Sequence, residues 1–269
     1  HAFVALAASS PVAARVPGAE DLLDDALAAL DRWFLDQHGR VVDGYPADLS
    51  RPEDYRGANS SMHMVEALLA VGDVRSDPAR HATALGIAEH LVHDVASGFG
   101  HRLPEHYDPD GTPLPDYNAD HPDDQFRPYG VTPGHLLEWS RLLLQLEGTL
   151  TDPPPWLLDD ARALFARAVD VGWDVDGAPG FVYTTDWQDR PVVRSRMHWV
   201  HAEAVAAAAA LHRRTGEHEY AAWETTWWEF LAAHVIEPVD PSRPADEPAN
   251  WRHELDEHNR PASRVWSGR

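Results

Sequence analysis

Cysteine is absent from this 269-residue chain, which excludes disulfides, cysteine-ligated zinc and thiol catalysis, and suits a cytoplasmic protein. No apolar run approaches the roughly 20 residues needed to span a bilayer, and no signal-peptide pattern opens the chain. Positive charge is scarce. Twenty-two Lys and Arg against 44 Asp and Glu leave a formal net charge of −22, which disfavours nucleic acid and anionic membranes as partners. No glycine-rich phosphate loop, H-E-x-x-H pattern or serine in a nucleophile-elbow context is found.

What is present is histidine (17) and tryptophan (11). Tryptophan faces stack on sugar rings, but they also fill helical cores. Apolar spacing predicts helices over 1–9, 19–36, 58–71, 78–96, 133–147, 155–170, 197–214 and 217–235. Leu22, Leu23, Ala26, Leu27, Leu30, Trp33 and Phe34 give the second helix a clear i, i+3, i+4 stripe. Long connections rich in Pro, Gly and Asp separate the pairs, and loops of that length usually carry function. Within one of them, 180–185 and 191–194 read as the arms of a short hairpin.

A weak repeat runs through the helices. His63, His135 and His198 stand near three helix starts, 72 and 63 residues apart. Polar groups recurring at one helical end predict an all-α fold, an α/α toroid of alternating inner and outer helices with short β-hairpins in its long loops. An open stack of helical hairpins would give a similar pattern. The chain is expected to form a single domain over 1–269.

The most informative stretch is Gly130–Trp139. Thr132 is expected to cap a helix whose first residue is Pro133. His135 then lies in the first turn with Glu138 at i+3 on the same face. The positive end of the helix dipole favours a neutral imidazole, able to act as a base near pH 7. His63 and Glu66 repeat the arrangement. A carboxylate beside histidine fixes its tautomer or stabilises the imidazolium, which suits abstraction of a proton next to a carbonyl. Two competing chemistries remain. Clustered His and Glu, including His90/His93 and His198/His201, would suit a metal, though no third ligand is evident and none is expected. The acids between Glu105 and Asp124 would supply paired carboxylates for glycoside hydrolysis.

Several motifs together resemble the N-acylglucosamine 2-epimerase superfamily, in particular its aldose–ketose isomerase branch. They are His1–Phe3, Tyr55–Asn59 leading into Met62–Ala67, Leu103–His106, Phe126–His135 with Glu138 and Trp139, His198–Trp199 with Glu203–Ala204, Trp251–Asp256 and Trp266–Gly268. The resemblance implies an (α/α)6 toroid, here an incomplete ring, and cofactor-free 1,2-proton transfer on an opened sugar of the D-mannose/D-fructose type through a cis-enediol. It implies His135 as an acid/base, Glu138 as its support and His63 as an active-site histidine, with Asn59, Arg127, Trp199 and Glu203 binding substrate. Alternatives are N-acylglucosamine 2-epimerisation, glycoside hydrolysis on the same scaffold, or a non-catalytic sugar- or partner-binding remnant. Both ends look cut, since the second acid/base histidine of relatives would follow Arg269 and a substrate-binding arginine would precede His1. An incomplete ring is expected to pair with a second copy as a homodimer, to aggregate or to be inactive. Residues 241–248 resemble an insertion.

Overall fold

A computed structural model describes residues 1–238 and 250–262; the expected insertion at 241–248 and the Trp266–Gly268 motif lie outside them. Eight α-helices dominate the described residues: α1 (Ala2–Ala13), α2 (Ala19–Ala29), α3 (Ala58–Arg75), α4 (Pro78–Ala88), α5 (Pro133–Thr149), α6 (Trp156–Gly172), α7 (His198–Thr215) and α8 (His218–Phe230). Three of them continue into π-helical turns, Leu30–Phe34, Glu89–Ala96 and Leu231–Val235. The expected helices over 19–36, 78–96 and 217–235 therefore exist, but their last turns are wider than α. Helix ends, where carbonyls already lack i+4 partners, are where that widening costs least. Conversely α1 runs past Pro11 to Ala13.

Burial separates two kinds of helix. α3 buries residues all round its circumference, among them Met62, Met64, Val65, Leu68 and Leu69. α5 (Leu136, Leu137, Trp139, Leu142, Leu143) does the same, and α7 (Val200, Ala204, Val205, Ala208, Leu211) buries a broad face with most of its remaining residues part-buried. α2, α4 and α8 bury one stripe each, such as Leu23 and Ala26 on α2. Helices that are apolar on every side are enclosed by others, and one-sided helices lie outside them.

Two compact units account for the chain. The first takes residues 1–115 and 145–160, the second 116–144 and 161–269. In the first, α1 packs on α2 and α3, and α3 on α4. In the second, α7 packs on α8, the Ser140 hydroxyl of α5 donates to the Ala161 carbonyl of α6 at 2.7 Å, and Phe165 of α6 meets Tyr220 and Trp227 of α8.

Short antiparallel ribbons introduce the enclosed helices. β1 (Arg56–Gly57) pairs with β2 (His106–Tyr107) ahead of α3, and β3 (Arg196–Met197) pairs with β4 (Glu254–Leu255) ahead of α7. A single bridge from Val131 to Thr185 precedes α5.

A tight turn recurs four times, closed by bridges Leu35–Val41, Tyr107–Pro113, Thr185–Pro191 and Leu255–Pro261. In each, an aspartate Oδ1 accepts the N–H groups two and four residues on: Asp36, Asp108, Asp186 and Asp256, at 2.8–2.9 Å. The residue three on takes a positive φ: Gly39, Gly111, Asp189 and Asn259. These are types that tolerate the left-handed region, and the aspartate is a local turn former. The weak repeat of the sequence is thus a repeat of helix, aspartate turn and helix in three copies, with a fourth aspartate turn following α8 and its π-helical turn. Its third copy forms the hairpin expected from 180–185 and 191–194.

Candidate active site

In the first unit the ribbon fixes the start of α3. The Ala58 N–H donates to the Glu105 carbonyl at 2.9 Å. Asp43, reaching from an earlier loop, accepts the Gly57 N–H at 2.6 Å and the Ser60 hydroxyl at 2.5 Å. A carboxylate there complements the helix dipole and satisfies donors that the helix leaves open. One turn further, His63 Nδ1 lies 2.9 Å from Glu66 Oε2, with both side chains half-buried. With Nδ1–H donating to the carboxylate, the tautomer makes Nε2 the basic nitrogen. The Phe3 ring stands 4.6 Å from the His63 ring. Both line a cavity of about 170 Å³, to which Asn59, His1 and Asp43 also contribute.

The second unit holds the other cluster. Pro133 is the first residue of α5, as expected. The cap differs from expectation: the Thr132 carbonyl accepts the His135 and Leu136 N–H groups, while its buried hydroxyl meets no partner among the described residues. The chain enters α5 from the Val131 bridge, so the backbone does the work the side chain was expected to do.

His135 is half-buried, its ring 5.4 Å from that of Trp199 on α7. Trp199 in turn meets the edge of Tyr183 at 6.1 Å. The approach depends on Gly134, where an added Cβ would stand 2.6 Å from Trp199 Cη2 and 2.8 Å from Val200 Cγ2. Glu138 is buried and lies 3.9 Å from the Arg141 guanidinium. Arg141 Nε donates to Glu203 Oε2 at 2.9 Å. One cation thus stands between two carboxylates in a part-buried setting that strengthens the attraction. Arg141 and Tyr183 were not singled out in the sequence. The available signal was spacing, since Arg141 follows Glu138 at i+3 on a helix otherwise rich in leucine.

Arg127 sits in the 116–130 loop, its N–H on Asp124 Oδ1 at 2.8 Å and its guanidinium 3.4 Å from the Tyr117 hydroxyl. Asp108 and Asp124, offered as candidate hydrolytic carboxylates, spend oxygens on backbone N–H groups of turns. His93 and His101 both engage the buried Asp160, at 2.8 and 3.2 Å. His201 is a core histidine. Its Nδ1 donates to the Met197 carbonyl at 2.9 Å and its Nε2 accepts the Phe181 N–H at 3.1 Å. Burial pushes its pKa down to about 3. Within either unit by itself, no three His or carboxylate ligand atoms converge among the described residues, and no described helix is long and apolar enough to cross a membrane.

Paired helices that alternate between enclosed and one-sided, with histidine, carboxylate and indole side chains at the starts of the enclosed ones, define the all-α, (α/α)6-toroid class expected from the sequence. The sequence model of the N-acylglucosamine 2-epimerase (GlcNAc 2-epimerase) family matches residues 1–269, and the chain belongs to that family. It is 48% identical over 274 residues to a D-mannose isomerase of Pseudomonas cannabina pv. alisalensis, covering 100% of this chain and 64% of that protein. It is 50% identical over 271 residues to a D-mannose isomerase of Thermobifida fusca, covering 100% and 65%. The fold matches a crystal structure of D-mannose isomerase with a TM-score of 0.86 at 32% identity, over 96% of this chain and 64% of that one. The chain therefore spans slightly less than two thirds of the length of these relatives.

Proposed function

We propose that the protein to which this chain belongs is a cofactor-independent aldose–ketose isomerase acting on sugars of the D-mannose/D-fructose type. The observation that carries the reading is His135, half-buried against the indole of Trp199 in a chain about half identical to two D-mannose isomerases. An indole offers a face on which a sugar ring stacks, and the imidazole beside it is suited to move a proton from C2 to C1 through a cis-enediol. Glu138 supports His135, and His63, tautomer-fixed by Glu66, polarises or binds the sugar. Asn59, Arg127 and Glu203 bind its hydroxyls and Trp199 its ring face, with Arg141 holding Glu203 in place. The proposal includes a cytoplasmic location and a homodimer, the latter readable by light scattering.

Proton NMR with D-mannose in D2O and EDTA tests the chemistry. Fructose carrying deuterium is the expected product, with turnover falling about 10²-fold or more in His135→Asn. Glucose deuterated at C2 would make the protein an epimerase instead, and activity undiminished in His135→Asn would remove that residue from the mechanism.

A further inference from the structure

Another cavity of the first unit, about 510 Å³, lies apart from the His63 cavity. It is bounded by the first aspartate turn, α4 and the β1–β2 ribbon, and shares only Val41 with the smaller one. Its size falls in the range of small-molecule sites. Among the described residues lining it none is acidic, although Asp and Glu outnumber Lys and Arg two to one in the chain. Arg40 and Arg56 both line it, and neither forms an ion pair with a described residue. The Arg40 guanidinium donates to the Asp110 carbonyl at 2.5 Å, and that of Arg56 to the carbonyls of Glu53 and Tyr55. Their positions are fixed while their charges stay uncompensated by carboxylates.

Arg56 and Tyr107 are directly opposite in the antiparallel ribbon, so their side chains leave it on the same face. Arg56 Nε and the Tyr107 hydroxyl are buried without a hydrogen-bond partner among the described residues, and Tyr107 is only 2% exposed. Leaving two buried donors unsatisfied is costly. Val41, Ile87 and Leu91 add apolar lining to the same cavity. Asp94 and Glu105 act electrostatically on His90 and Tyr107, but neither side chain lines the cavity. Burial and the neighbouring Arg40 charge hold His90 below the usual histidine range, so the two arginines supply the positive charge.

We propose that this cavity is a binding site for a small oxyanion-bearing molecule, a phosphate ester or carboxylate on a compact apolar body. The oxyanion takes the Arg56 Nε–H and the Tyr107 O–H, and Arg40 completes its neutralisation. Guanidinium forks match such groups in geometry as well as charge.

The test is isothermal titration of the full chain with phenyl phosphate, and with inorganic phosphate as the probe lacking an apolar body. One saturable site is expected, tighter for phenyl phosphate. Arg56→Gln should weaken it roughly tenfold or more, and Tyr107→Phe about fivefold. Because Arg56→Gln could disturb the ribbon, a second variant fills the cavity mouth instead. Ala82 and Gly86 are exposed on α4, and a Cβ at Gly86 meets nothing within 4 Å. Ala82→Leu/Gly86→Leu should therefore fold normally and abolish binding. His63→Ala should leave the isotherm unchanged, which keeps this site separable from the proposed sugar site. Absence of saturable binding, binding that survives both Arg56→Gln and the leucine pair, or binding lost with His63→Ala would overturn the proposal.

Discussion

Gly134→Ala is the substitution with the most to say about how α5 and α7 hold the His135–Trp199 contact. The new methyl would stand 2.6 and 2.7 Å from two indole carbons of Trp199 and 2.8 Å from Val200 Cγ2. All three distances are shorter than real Cβ contacts, so a neighbour must move. Val200 is fully buried and cannot give way cheaply, whereas Trp199 is half-buried and can swing, though only by leaving His135. Overpacking costs about 1–3 kcal/mol. Replacing a helical glycine returns up to about 1 kcal/mol, and less in the first turn, where Gly134 lies. The net expectation is a loss of about 1–2 kcal/mol, or a Tm lower by roughly 2–8 °C. Turnover of D-mannose should fall further than stability does, because the residue displaced is the proposed stacking surface. Denaturant unfolding of Gly134→Ala, Trp199→Phe and the double variant forms a cycle. Trp199→Phe removes the outer ring atoms that clash, so the double variant should be about 1 kcal/mol more stable than additivity predicts. A Gly134→Ala protein as stable and active as its parent, with an additive cycle, would refute the reasoning.

Asp176→Ala should cost about 3–5 kcal/mol in denaturant unfolding. It strands the Arg196 guanidinium, which Asp176 holds in a bidentate pair at 2.9 and 2.5 Å with side chains 0% and 1% exposed. Ser76→Gly should raise stability by about 0.5–1 kcal/mol by the same assay, since Ser76 ends α3 in the left-handed region at φ 52°, where glycine carries no Cβ penalty. Stability should fall as pH drops from about 6.5 toward 3. His201 is neutral in the fold down to about pH 3, while the unfolded chain takes up that proton near 6.5. Asp108 and Asp256, held below the usual carboxylate range by the backbone N–H groups of Thr112 and Arg260, extend the loss below that window as they protonate. A flat unfolding midpoint between pH 6.5 and 4 would contradict the histidine part.

The helices were legible because apolar periodicity is a local signal. The 58–71 reading became Ala58–Arg75 and 133–147 became Pro133–Thr149. The β1–β2 ribbon was not, since it joins two-residue strands about 50 positions apart, too short to carry an alternating pattern. The aspartate turns left a trace, an Asp followed three residues on by Gly, Gly, Asp or Asn. That last position asks only for tolerance of positive φ, so its identity drifts and the repeat stays weak. For the candidate residues, sequence placed His63 with Glu66 and His135 near a helix start, because i, i+3 geometry is fixed by the helix itself. Arg141 and Tyr183 depend on which face of α5 meets α7, which only the packing decides.

Environment, rather than position on a helix, sorts the histidines of this chain. His135 and His201 both follow a ribbon or bridge into an enclosed helix, though the sequence singles out His135 for proton chemistry and weighs His201, with His198, only as a metal ligand. His201 has both ring nitrogens committed to backbone groups and a pKa near 3, and a group that cannot take a proton at neutral pH cannot serve as a base there. His135 is half-buried with a half-buried indole beside it, and half-buried His63 holds the Glu66 carboxylate against its Nδ1 at 2.9 Å. Turn by turn the fold repeats the same entry device. In the proposed reaction the part-exposed imidazoles at the starts of α3 and α5 act on the sugar, His135 to move the proton and His63 to polarise or bind, whereas His201 stays committed in the core of α7.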